Sequence, residues 1–100
     1  MAQLRIDLQE GFVGDTVAIS LDGKEVFRES NLRTRLQIGL AKSFATEANQ
    51  ALTLVEIRVV ERKLSAAFTV DTSNPVFVGV SVDPGGALAH RISREAFGYV

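Results

Sequence analysis

The sequence predicts an all-β fold, a two-sheet antiparallel β-sandwich of about eight short strands. Three observations carry that expectation. Apolar and polar residues alternate with a period of two along most of the chain, as they do in strands with one buried and one wet face. Turn-forming clusters arrive about every ten residues, the spacing of small sandwiches and barrels. Hydrophobic residues make up 46% of a 100-residue chain, enough for the core of one domain spanning residues 1–100.

Taken in order, "LRIDLQ" sets Leu4, Ile6 and Leu8 on one face and Arg5, Asp7 and Gln9 on the other. "TVAISL" repeats the pattern with Val17, Ile19 and Leu21, and Asp22-Gly23 then supplies the preferred pair for a two-residue type I′ hairpin. That turn predicts Ile19 opposite Val26 and Ala18 opposite Phe27. It leaves Phe27, like Phe77, on the less apolar face of its strand. The segment 31–48 reads two ways. Leu32, Leu36, Leu40, Phe44 and Ala48 recur at helical spacing, whereas the even positions from Leu32 to Thr46 share one strand face. The strand reading is preferred because it also accounts for Ile38 and gives Gly39 a role at a bulge. Lys42 interrupts the even set, so a bend or break is expected between Gly39 and Lys42.

"LTLVEIRVV" and "LSAAFTV", joined by "ERK", form a second predicted hairpin. Val55, Ile57 and Val59 face inward from one strand, and Leu64, Ala66, Phe68 and Val70 from the other. "DTSNP" is a loop, because Asp and Ser bond to nearby backbone and Pro75 stops a ladder. The last two strands, "VFVGVSV" and "ALAHRIS", flank Asp83-Pro84-Gly85-Gly86. This is a type I turn followed by a left-handed bulge residue, which pairs Val82 with Leu88, Val80 with His90 and Val78 with Ile92. His90, the chain's one histidine, thus falls on the valine face. It is expected at the core or its margin, neutral through burial, with a pH-sensitive role as the functional alternative.

Composition narrows the chemistry. Eleven Lys and Arg against twelve Asp and Glu leave a net charge of −1, which argues against a phosphate-binding groove and so against nucleic acid as a partner. No cysteine is present, so thiol catalysis and disulfides are out. The longest apolar run, "PVFVGVSV", falls short of the ~20 residues of a membrane helix. No basic leader precedes an apolar stretch, so neither a membrane nor a secretory route is expected and a cytoplasmic location is favoured. "GVSVD" around Ser81 departs from a nucleophile elbow, with Asp83 where glycine is needed and no strand-to-helix turn after it. Glu56, Glu61 and Asp71 read as solvated acids rather than a glycosidase pair. No catalytic residues and no enzymatic activity are expected.

Two readings of function follow. The first is a non-enzymatic interaction or assembly module, acting through a sheet edge or an apolar outer face on a protein partner or a second copy of itself. The C-terminal "REAFGYV" has two readings: it folds back to close its own domain as an edge strand, or it packs on a partner, with Phe97, Tyr99 and Val100 as candidate contacts at a chain end that otherwise frays. The alternative is a ligand-binding module for carbohydrate or calcium, using the loops around 71–75 and 83–86. There Asp71, Ser73, Asn74 and Asp83 are candidate oxygen ligands for calcium, the one cofactor considered. In architecture the expected sandwich is of the immunoglobulin-like or transthyretin-like kind, a likeness that implies no function by itself.

Overall fold

The computed structural model describes residues 2–99. It contains eight strands: β1 (Gln3–Leu8), β2 (Val13–Leu21), β3 (Lys24–Arg33), β4 (Lys42–Glu47), β5 (Leu52–Val59), β6 (Leu64–Asp71), β7 (Val76–Val82) and β8 (Leu88–Ser93). They form two four-stranded sheets, ordered β4-β1-β7-β8 and β3-β2-β5-β6. Every neighbouring pair is antiparallel except β1 and β7, which run parallel at the centre of the first sheet. Among the described residues there is no helix long and apolar enough to cross a membrane.

The core is the sum of the inward faces that alternation marks out. Leu4, Ile6 and Leu8 of β1 and Val76, Val78 and Val80 of β7 meet Val17 and Ile19 of β2 and Val55, Ile57 and Val59 of β5, all buried. Burying such side chains is worth about 1.5–3 kcal/mol each against leaving them exposed. The largely apolar run of β7 follows from its central place, because its outward residues Phe77, Gly79 and Ser81 are buried or half-buried as well. Phe12, between β1 and β2, is also buried and plugs one end of the layer.

The turns obey their local chemistry. Asp22 and Gly23 both take positive φ, 51° and 84°, as a type I′ turn demands. Pairing begins as expected with Leu21 opposite Lys24, but a bulge between Ile19 and Ser20 then brings Ile19 opposite Phe27. Val26 is the extra residue. Parity reverses beyond it, so Phe27 packs against the core while Val26 is exposed. The predicted Ile19–Val26 and Ala18–Phe27 pairs are therefore not formed. The segment 31–48 is strand rather than helix, broken between β3 and β4 by a turn closed by an Arg35–Leu40 bridge. Gly39 sits in that turn at φ +70°, and Leu36 projects into solvent, 92% exposed. Its place in the apolar period has no packing consequence.

Candidate functional site

The tail lies over the outer face of the first sheet. Residues 94–99 form no strand, yet Tyr99 donates its hydroxyl proton to Asp7 Oδ2 at 2.6 Å and accepts from Gln9 Nε2 at 3.0 Å. Asp7 is only 1% exposed. Its other oxygen takes hydrogen bonds from Arg5 Nε and Ser43 Oγ, both at 2.9 Å. Alternation is the local cause, since Arg5, Asp7 and Gln9 all point outward from β1, and Ser43 stands directly opposite Asp7 on β4. Loss of solvent around the Tyr99 phenol, reinforced by its bond to Asp7, raises its pKa above the ordinary value. Nearby, the Arg91 guanidinium sits 4.7 Å from the Phe97 ring centroid, a cation–π contact. Tyr99 and Phe97, expected as interface residues, thus make these contacts within their own domain. Val100 lies outside the described residues.

One end of the sandwich carries an open cleft of about 450 Å³, walled by Glu10, Gly11, Arg62, Ser81, Asp83 and Pro84. Its structural anchor is Asp15, 4% exposed, which Arg62 grips with Nε and Nη2, each at 3.0 Å. Nη2 also donates to the Gly11 carbonyl at 2.9 Å, so the guanidinium is committed to holding the 60–63 turn against the start of β2. Beside it, Glu61 accepts from the Thr16 hydroxyl at 2.6 Å and the Thr16 N–H at 2.7 Å. These bonds, the hydroxyl's first, lower the Glu61 pKa. Ser81 Oγ accepts from the Glu10 N–H at 3.2 Å.

The four residues considered as calcium ligands do not converge. Asp71, Ser73 and Asn74 precede β7 and Asp83 follows it, and a 7-residue strand separates its ends by roughly 20 Å. Asp71 binds the Ser73 hydroxyl and N–H, which lower its pKa ahead of a smaller contribution from Arg94. Asp83 Oδ1 accepts the Ala87 N–H at 3.0 Å. Asp71 and Asp83 each close a turn, at opposite ends of β7. Glu56, Glu61 and Asp71 are likewise spread over the middle of β5, the 60–63 turn and the end of β6.

The two long sides of the sandwich differ. On one side β3 faces β4. Phe27 and Phe44 meet there with centroids 5.4 Å apart, Lys42 reaches Glu29 at 3.5 Å, and β3 bulges twice against β2 and holds Asn31 at φ 57°. Charge and irregular backbone are the usual protections of a sheet edge. On the other side β6 faces β8. Their link is a stack of Phe68 on His90, centroids 3.8 Å apart. His90 pairs with Val80 as predicted, but it is exposed rather than buried. The reason is position: β8 is an edge strand, and only the Phe68 ring of the facing edge covers it. The expected place of His90 at the core or its margin is thereby corrected to an exposed edge position.

β6 itself is regular and uncharged. It pairs with β5 residue for residue from Leu64 to Asp71 without a bulge, and it has no Asp, Glu, Lys, Arg, Pro or Gly from Leu64 through Val70. Ser65, Ala67 and Thr69 are exposed. Its far edge has no strand neighbour. Sequence reasoning placed this strand correctly but could not see that it would be an edge, because edge or centre is decided by the order of strands in the sheet.

The fold and its edges define the class, a small all-β sandwich of two packed sheets. No protein-family model, no curated protein and no solved structure matches the chain.

Proposed function

We propose that this chain is a non-enzymatic interaction module that receives an extended protein segment along the free edge of β6. The observation that carries the reading is the contrast between the two sides of the sandwich. The β3–β4 side is bulged and charged, and the β6 edge is straight and uncharged from Leu64 to Val70. A strand laid on such an edge gains main-chain hydrogen bonds, and the alternate side chains beside it supply selectivity. The small outward residues Ser65, Ala67 and Thr69 leave room for larger side chains on the incoming segment.

The test is a selection of extended peptides against the immobilised chain, with bound peptides mapped by amide chemical-shift changes. The expected outcome is shifts confined to residues 64–70 and their β5 partners, lost in Ala67→Lys. Shifts centred on Gly11, Ser81 and Asp83 instead would overturn the edge reading. They would favour a small-ligand module at the end cleft, the alternative that the cleft's volume and its Asp83-Pro84 wall support.

A further inference from the structure

We infer that the segment received by the β6 edge is β6 of a second copy, paired antiparallel about a two-fold axis at Ala67. The inference rests on the reading of β6 as the docking edge and adds the identity and register of its partner. Extending a sheet by a two-fold axis normal to it keeps inward residues opposite inward residues. Self-pairings must therefore centre on a residue, not between two. Three centres lie in the middle of the strand, and their cross-strand pairs differ sharply.

Centred on Ala67, Leu64 faces Val70 and Ala66 faces Phe68 on the inner side, each large residue against a smaller one. Ser65 faces Thr69 on the outer side, a favourable hydroxyl pair, and Ala67 meets its own copy. At both ends of the same register Lys63, the turn residue at φ 53° just before β6, comes level with Asp71. The two are of opposite charge, and Lys63 makes no ion pair among the described residues. Asp71 is exposed and already faces Arg94 at 3.4 Å, so Lys63 adds a second cation to a carboxylate that β6 and β8 share. Centred on Ala66, the same strands would carry Asp71 past the start of its partner strand at Leu64, level with the 60–63 turn, and would give it no cation opposite. Centred on Phe68, the two Phe68 rings would meet at the axis and Lys63 would face Ser73. Only the Ala67 register satisfies size and charge together, and it does so twice by symmetry.

The experiment is sedimentation equilibrium of the full chain from micromolar to millimolar concentration, with circular dichroism confirming the fold of each variant. Dimerisation is expected. Lys63→Glu and Asp71→Lys should each weaken it about tenfold, because each sets two like-charge pairs in place of two opposite ones. The double variant Lys63→Glu/Asp71→Lys should restore it to within a few-fold. Ala67→Lys puts two ammonium groups at the axis and should leave a monomer; being a single exposed outward position, it keeps the test sharp if Asp71→Lys disturbs its own loop. A monomeric parent chain, a dimer indifferent to Ala67→Lys, or a double variant no better than the singles would overturn the inference. In the first of these cases, peptides that still map to residues 64–70 would leave the edge reading standing with a foreign segment as partner. Peptides that map elsewhere would remove both.

Discussion

The imidazole of His90 lies flat on the ring of Phe68, with centroids 3.8 Å apart and planes 6° from parallel. It joins the edge strand of one sheet to the edge strand of the other, on the side where Asp71 at the end of β6 also faces Arg94 at 3.4 Å. Its counterpart across the molecule is the tilted Phe27–Phe44 pair. The sandwich is thus pinned at both long sides by ring contacts, one of which uses the chain's one histidine as an aromatic plate.

That role predicts a measurable coupling. Phe68→Ala should cost about 2–3 kcal/mol, less than a fully buried phenylalanine, and His90→Ala about 0.5–1 kcal/mol. A double-mutant cycle should return an interaction of about 0.5–1.5 kcal/mol. His90→Phe should be near neutral because it keeps the stack. Denaturant unfolding of wild type and these four variants decides it, and strictly additive costs would refute the pinning role.

Tyr99 holds the tail through its hydroxyl, so Tyr99→Phe should cost about 1–2 kcal/mol, chiefly by leaving one oxygen of buried Asp7 without its donor. The raised Tyr99 pKa fixes the pH dependence. A phenol that binds its proton more tightly when folded contributes stability in full below its unfolded pKa. That contribution is lost as pH rises through the folded value. Wild type should therefore lose stability at alkaline pH faster than Tyr99→Phe, and the two unfolding curves should converge there. Parallel alkaline curves would sink the account.

At the acid end, Glu61 behaves oppositely. Its pKa is lowered first by the Thr16 hydroxyl and then by the Thr16 N–H, so its contribution is present above the unfolded glutamate pKa. It is lost as pH falls through the lower folded value. Thr16→Val should destabilise at neutral pH, and the deficit should shrink as acid protonates Glu61 in both proteins. A Thr16→Val deficit independent of pH would show that packing, not the carboxylate, explains it.

The pattern of agreement between chain and fold has a physical logic. Period-two alternation and the Asp22-Gly23 and Asp83-Pro84-Gly85-Gly86 turns act over a few residues, so the strands and the Val80–His90 pairing could be read directly. The bulge at Val26 could not, because a single inserted residue leaves the composition of "KEVFRE" unchanged while reversing which face Phe27 occupies. The parallel β1–β7 pairing and the edge position of β6 and β8 were equally hidden, since both follow from how distant strands are ordered. That ordering is why His90 is exposed despite standing on the valine face. It is also why the candidate site is an edge that no local motif announces. Tyr99 stood out by its chemistry at the chain end, but its partners Asp7 and Gln9 looked like ordinary solvated residues of an alternating strand.

Two glycines separate backbone crowding from side-chain crowding. A Cβ on Gly11 would lie 2.1 Å from the Val82 carbonyl oxygen, and the residue has φ +90°. The Val82 N–H in turn donates to the Glu10 carbonyl at 2.8 Å, so neither strand end can yield. Gly11→Ala should cost about 3 kcal/mol, from left-handed strain and the clash together. A Cβ on Gly79 would first meet the Gln9 side chain, 2.6 Å from Oε1. Gln9 can swing away, at the expense of its bond to Tyr99, so Gly79→Ala should cost about 1–2 kcal/mol. Truncating the obstacle distinguishes the two. In a Gln9→Ala background the Gly79→Ala penalty should nearly vanish while that of Gly11→Ala persists, and thermal unfolding of the six proteins would reveal it. An undiminished Gly79→Ala penalty would mean that the outer face of β7 is closed by something other than Gln9.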